Sequence, residues 1–67
     1  MINIHINGQP EQLPAALSIA QLIEHLSLVG KRVAIERNGD IIPRSTFAAV
    51  SLNDGDRLEI VVAVGGG

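Results

Sequence analysis

The 67-residue chain has no cysteine, no tryptophan and no tyrosine, and Phe47 is its one aromatic residue. Without cysteine there is no disulfide and no thiolate ligand for a structural zinc. Such a composition fits a reducing cytoplasm. Without aromatics there is no platform for stacking bases, and five Lys+Arg against seven Asp+Glu leave a formal charge of −2. Both features argue against nucleic acid as a partner. No apolar run approaches the roughly 20 residues that cross a bilayer, and the first residues lack the basic and apolar segments of a secretory signal. The expectation is a cytoplasmic protein with no nucleic-acid or membrane partner. At this length it is a single domain, and one that buries only about 60% of its unfolded surface.

What is present is patterning. Ile2, Ile4 and Ile6 alternate with polar residues, the mark of a half-buried strand, and Asn7-Gly8 follows as a hairpin turn. A second strand over Gln9 to Leu13 carries Pro10, which suits an edge. A two-residue turn pairs Ile2 with Leu13 but sets Ile4 and Ile6 against Glu11 and Gln9, so either the core narrows there or a bulge shifts the register. Ser18 and Gln21 form a capping box, Leu17 is placed to staple onto Leu22, and Ile19, Leu22, Ile23 and Leu26 make one apolar helical stripe. Gly30 is available to close that segment. Arg32 to Arg37 alternates again, Asn38-Gly39 is a second hairpin turn, and pairing sets Ile35 opposite Ile42 and Glu36 opposite Ile41. Pro43 ends the strand. Arg44 to Val50 reads as a short helical turn with Phe47 pointing inward, and Asn53-Asp54-Gly55-Asp56 as a turn. The last strand runs from Arg57 to about Val64, with Leu58, Ile60 and Val62 on one face. Strands grouped around one helix predict an α+β domain, a mixed sheet packed on a single helix over residues 1–64.

Chemistry-bearing groups are scattered. His5 falls on the polar face of the first strand and His25 beside the helix stripe, in no ligand spacing; the serines sit at caps and turns, and no carboxylates pair. Neither a catalytic residue nor a metal site is expected. The tail is different, because Gly65-Gly66-Gly67 follows an apolar strand and adds nothing to a core. One reading is a frayed end. The other is a flexible stalk that delivers the Gly67 carboxylate into a partner's active site, with Gly65 and Gly66 threading a narrow channel. Four residues from Val64 reach at most about 13–14 Å. If Val33, Ile35, Ile42, Leu58, Ile60 and Val62 face the helix, then Ala34, Ile41, Val61 and Ala63, with Val64 beyond them, form a candidate partner patch on the open face. Scattered surface apolar residues are the alternative.

The order of elements, the run Asn38-Gly39-Asp40-Ile41-Ile42-Pro43-Arg44, the turn Asn53-Asp54-Gly55-Asp56 leading into Leu58-Glu59-Ile60-Val61, and the terminal Gly-Gly together resemble the ThiS family of thiamin-biosynthesis sulfur carriers. The resemblance covers essentially the whole chain and implies a ubiquitin-like β-grasp fold with a flexible glycine tail. It also implies a protein that is not itself an enzyme and holds no cofactor. In the mechanism that the resemblance implies, a ubiquitin-activating-type adenylyltransferase would use ATP to convert the Gly67 carboxylate to an acyl-adenylate. A cysteine-desulfurase or rhodanese persulfide would supply sulfur to leave a thiocarboxylate, and thiazole synthase would take that sulfur. The family pattern needs only the last two glycines, so Gly65 is a departure from it. Arg44 matches the family's Pro-Arg without an evident chemical role, a surface or capping contact being the reading of its residue type. A molybdopterin-type sulfur carrier and a ubiquitin-like interaction module with an inert tail remain the alternative functions.

Overall fold

The β-branched alternation of Ile2–Ile6 and the turn after it form β1 and β2 (Gln9–Leu13), and the computed structural model describes these and all other residues from 1 to 63. Val64, Gly65, Gly66 and Gly67, and with them the boundary expected between 64 and 65, lie outside the described residues. Asn7 and Gly8 both take positive φ, 51° and 81°, as a type I′ turn requires. The hairpin keeps the two-residue register, Ile2 with Leu13 and Ile4 with Glu11. Of the two arrangements open from the sequence, the core narrows: Leu13 is buried, and the rest of β2 is exposed.

The capping box forms as expected at α1 (Ile19–His25). Gln21 N donates to Ser18 Oγ at 3.1 Å and Ser18 N donates to Gln21 Oε1 at 2.9 Å. The first two helical N–H groups, which a helix leaves without internal partners, are taken by tertiary contacts. Ile19 N donates to Val50 O and Ala20 N to Phe47 O, both at 2.9 Å. Ser18→Ala is therefore expected to cost about 1 kcal/mol, or roughly 4–8 °C of Tm in a domain of this size, read by thermal unfolding followed by circular dichroism. Gly30 does not close the helix. Ser27 takes the left-handed position at φ 59°, donating to Glu24 O while Leu28 N reaches Ile23 O, the paired bonds of a Schellman motif. Gly30, at φ 84°, shapes the next turn, in which Lys31 N donates to Leu28 O.

β3 (Val33–Arg37) turns through Asn38-Gly39 into β4 (Asp40–Ile41), with Glu36 opposite Ile41 and Ile42 N donating to Ile35 O. A 3₁₀ turn at Arg44–Thr46 seats Phe47 in the core, and β5 (Arg57–Val62) closes the fold. The strand order is β2-β1-β5-β3-β4, with β1 parallel to β5 and all other neighbours antiparallel. This is the mixed sheet expected. Its helix-facing side supplies Ile4, Leu13, Ile35, Leu58 and Ile60, which pack with Ile19, Leu22, Ile42, Phe47 and Leu52 into one cluster. Leu17, Ile23, Leu26, Val33 and Val62 are half-buried, the first four packed against that cluster. Among the described residues no helix is long and apolar enough to cross a membrane.

Candidate functional site

The last strand is the central one, and three devices hold it. On one side β1 pairs with it through His5–Arg57 and Ile6–Leu58 only. After Asn7 N donates to Leu58 O, the chain turns away. The Asn7 side chain then continues the ladder: Oδ1 accepts from Ile60 N at 2.7 Å and Nδ2 donates to Ile60 O at 3.0 Å. On the other side Asn38 acts in the same manner. Its backbone N donates to Arg57 O at 2.8 Å and its Oδ1 accepts from Arg57 N at 2.9 Å. The third device is the turn before β5. Asn3 N donates to Asp54 Oδ1, Gly55 N donates to Asn3 O, and the buried Asp56 carboxylate accepts from Asn53 N at 2.8 Å and Asn38 Nδ2 at 3.2 Å. Arg37 Nη1 lies 3.8 Å from Asp56 Oδ2. At the far end β5 pairs Val62 with Val33, and Ala63 N donates to Arg32 O. The central strand is thus bonded to the first hairpin as far as Ile60 and to β3 as far as its end at Ala63.

On the open face, Ala34, Ile41 and Val61 come together. Ala34 pairs directly with Val61, and both line a shallow cleft of about 100 Å³ with Ile35, Ile41, Glu36 and Glu59. Ile41 is 77% and Val61 64% exposed, large values for branched aliphatic side chains. Ala63 is exposed two residues further along but outside this cleft. Val64, Gly65, Gly66 and Gly67, the remaining predicted site residues, lie outside the described region. The glutamates are the part that the sequence reading missed. Period-two alternation already puts Glu36 beside Ala34 and Glu59 beside Val61 on one face, but only the β3–β5 register brings the two together.

A second, larger cleft of about 440 Å³ lies at the helix exit, lined by Ile23, Gly30, Lys31, Arg32, Val33, Arg44 and Phe47. It gathers three of the five Lys and Arg residues. Arg44 heads the 3₁₀ turn, where its carbonyl accepts from Phe47 N, and its side chain is exposed in this cleft. His5 and His25 are both exposed. No group of three His, Asp or Glu side chains among the described residues is placed to hold a metal ion.

Comparison with known proteins agrees with this architecture. The family model described as the ThiS family matches residues 4–67. A thiazole synthase of Paramagnetospirillum magneticum is 44% identical over 62 residues, which cover 92% of this chain and 19% of that protein. The chain spans about a fifth of the length of the two thiazole synthases it matches, the second being from Magnetococcus marinus. The uncharacterized protein ycf40 of Pyropia yezoensis is 39% identical over 66 residues, 98% of this chain and 93% of that one. Among solved structures, the crystal structure of a thiamine biosynthesis protein (ThiS) from Geobacter metallireducens superimposes with a TM-score of 0.83. It is 30% identical and covers 98% of this chain and 100% of its own. That likeness makes the present sheet-and-helix arrangement a ubiquitin-like β-grasp.

Proposed function

The chain belongs to the ThiS family, and from that premise we propose that it is a sulfur carrier of thiamin biosynthesis whose reacting group is the Gly67 carboxylate. The observation that carries this reading is the family match, which runs through Gly67. The fold supports it, because the strand leading to the glycines is the central one, bonded on both sides. A thiazole synthase with a stretch 44% identical to this chain supports pairing the carrier with that activity.

A resting carboxylate is a poor electrophile, since its charge repels nucleophiles and it offers no leaving group. A partner adenylyltransferase of the ubiquitin-activating type removes both obstacles with ATP. A Gly67 carboxylate oxygen attacks the α-phosphorus, the bond to pyrophosphate breaks, and an acyl-adenylate forms. The terminal sulfur of a persulfide, borne by a cysteine desulfurase or a rhodanese, then attacks the acyl carbon and displaces AMP. A second thiol reduces the resulting acyl disulfide, leaving the thiocarboxylate that passes its sulfur to thiazole synthase. This chain, having no cysteine, contributes its terminus alone. Gly65 and Gly66 have no Cβ, so a channel closes on their backbone without a clash. Ordering them costs about 1–2 kcal/mol per residue, and docking of the open face around Ala34, Ile41, Val61 and Ala63 offsets that cost.

Intact-mass measurement of the protein from cells tests the proposal. The expected result is a fraction heavier by the replacement of one oxygen with sulfur, localised to Gly67 by C-terminal peptide fragmentation. Its absence in thiamin-starved cells would count against the thiocarboxylate. Gly67→Ala is expected to leave Tm unchanged and to lower kcat/KM for adenylation roughly 100-fold, the scale of a 1 Å misplacement at a reacting centre. ATP–pyrophosphate exchange measures it.

A further inference from the structure

The open sheet face sets two carboxylates against each other. The register pairs Glu36 directly with Glu59 across β3 and β5, and both are exposed. Side chains directly opposed on an antiparallel pair hold their Cβ atoms about 5 Å apart, and like charges at that spacing work against the sheet. The protein does not neutralise them itself. Among the described residues the ion pair is Arg37–Asp56, and Arg57, two residues before Glu59 on the same strand, bridges to neither glutamate. Lys31, Arg32 and Arg44 gather round the separate cleft at the helix exit. The two glutamates share their own cleft with Ala34, Ile41 and Val61, which are exposed apolar residues.

We propose that this face docks the partner that receives the chain end, and that the partner seats one arginine between Glu36 and Glu59 while apolar side chains cover Ile41 and Val61. The inference rests on the carrier reading above. The cleft, about 100 Å³, falls well below the roughly 300–1,000 Å³ of small-molecule pockets and suits the head of a single side chain. Two carboxylates on adjacent strands present four acceptor oxygens. A guanidinium answers them with five N–H groups in a planar fork and is more weakly hydrated than an ammonium. Arginine is also enriched at interface cores from which lysine is depleted. Covering Ile41 and Val61 excludes water and strengthens the attraction. The pair that weakens the free sheet therefore becomes a source of affinity and specificity in the complex. Its position fits the partner's need, since Val61 is six positions before Gly67, the reacting residue of the carrier reading.

The test uses Glu36→Gln, Glu59→Gln and the double variant, which keep shape and remove charge. Each single variant is expected to raise Tm by a few degrees. In ATP–pyrophosphate exchange with the same organism's adenylyltransferase, the double variant is expected to raise the KM for the carrier about tenfold or more. The change falls on KM rather than kcat, and added salt raises KM for the parent but not for the double variant. No exchange with the unmodified chain would overturn the carrier reading itself. Exchange with an unchanged KM in the double variant would overturn the arginine docking alone. Sedimentation equilibrium should show a monomer. A dimer lost on removing the two charges would assign the face to a second copy and refute the proposal.

Discussion

Deletion of Gly66 and Gly67 is expected to abolish ATP–pyrophosphate exchange while leaving the thermal unfolding curve where it was. The two halves of that outcome have separate causes. Among the described residues, every member of the buried core lies between Ile4 and Ile60, and the bonds that hold β5 end with Ala63 N to Arg32 O. Removing the last two residues takes nothing from either set. The chemistry depends instead on where a carboxylate arrives. Two residues of extended chain span about 7 Å, and misplacement by even 1 Å can cost about 100-fold at a reacting centre. The shortened carboxylate therefore reacts at background rate even if the domain docks normally. Competition separates docking from chemistry: the deleted chain should inhibit exchange by the intact one with a Ki near its KM. A truncated chain that still supports exchange would place the reacting group elsewhere.

The second large effect concerns Asn7, whose side chain stands in for a strand residue. Asn7→Ala removes both bonds to Ile60, whose side chain is buried, and leaves alanine at φ 51°, in the left-handed region that it rarely adopts. Together these cost about 3 kcal/mol, a large share of the roughly 3–10 kcal/mol available to a chain of this length. A series separates the terms. Asn7→Gly relieves the backbone strain and keeps only the hydrogen-bond loss, about 2 kcal/mol. Asn7→Asp keeps an acceptor for Ile60 N–H but turns a carboxylate oxygen toward Ile60 O, so it falls between Gly and Ala. Urea denaturation at constant m-value reads all three. If alanine costs no more than an exposed surface substitution, about 0.5 kcal/mol, the side chain is not part of the ladder.

Both asparagines show where reading the chain stops. Asn7-Gly8 and Asn38-Gly39 announce hairpins because positive φ at successive positions is a local requirement, legible from two residues. That the same amides would each grip β5, 53 residues away in one case and 19 in the other, depends on the strand that arrives beside them. The helix start behaves likewise. Ser18 and Gln21 satisfy each other within four residues, whereas the carbonyls of Phe47 and Val50 that complete the cap come from a segment with no sequence signal for that role. At the other end Gly30 is the residue type expected to close the helix, and Ser27 does so, because two backbone bonds compensate a serine at positive φ.

Local chemistry thus determined the strands, the helix, the two hairpin turns, the register of the second hairpin, and the inward and outward faces. Each follows from a period, a cap or a turn that neighbouring residues impose on one another. Tertiary structure alone decided which strand became central and how β5 aligned with β3, since sheet order and non-local register are chosen by burial of the whole apolar set. That choice bonded β5 to β1 and Asn7 on one side and to β3 on the other, and it set Glu36 against Glu59 on the open face.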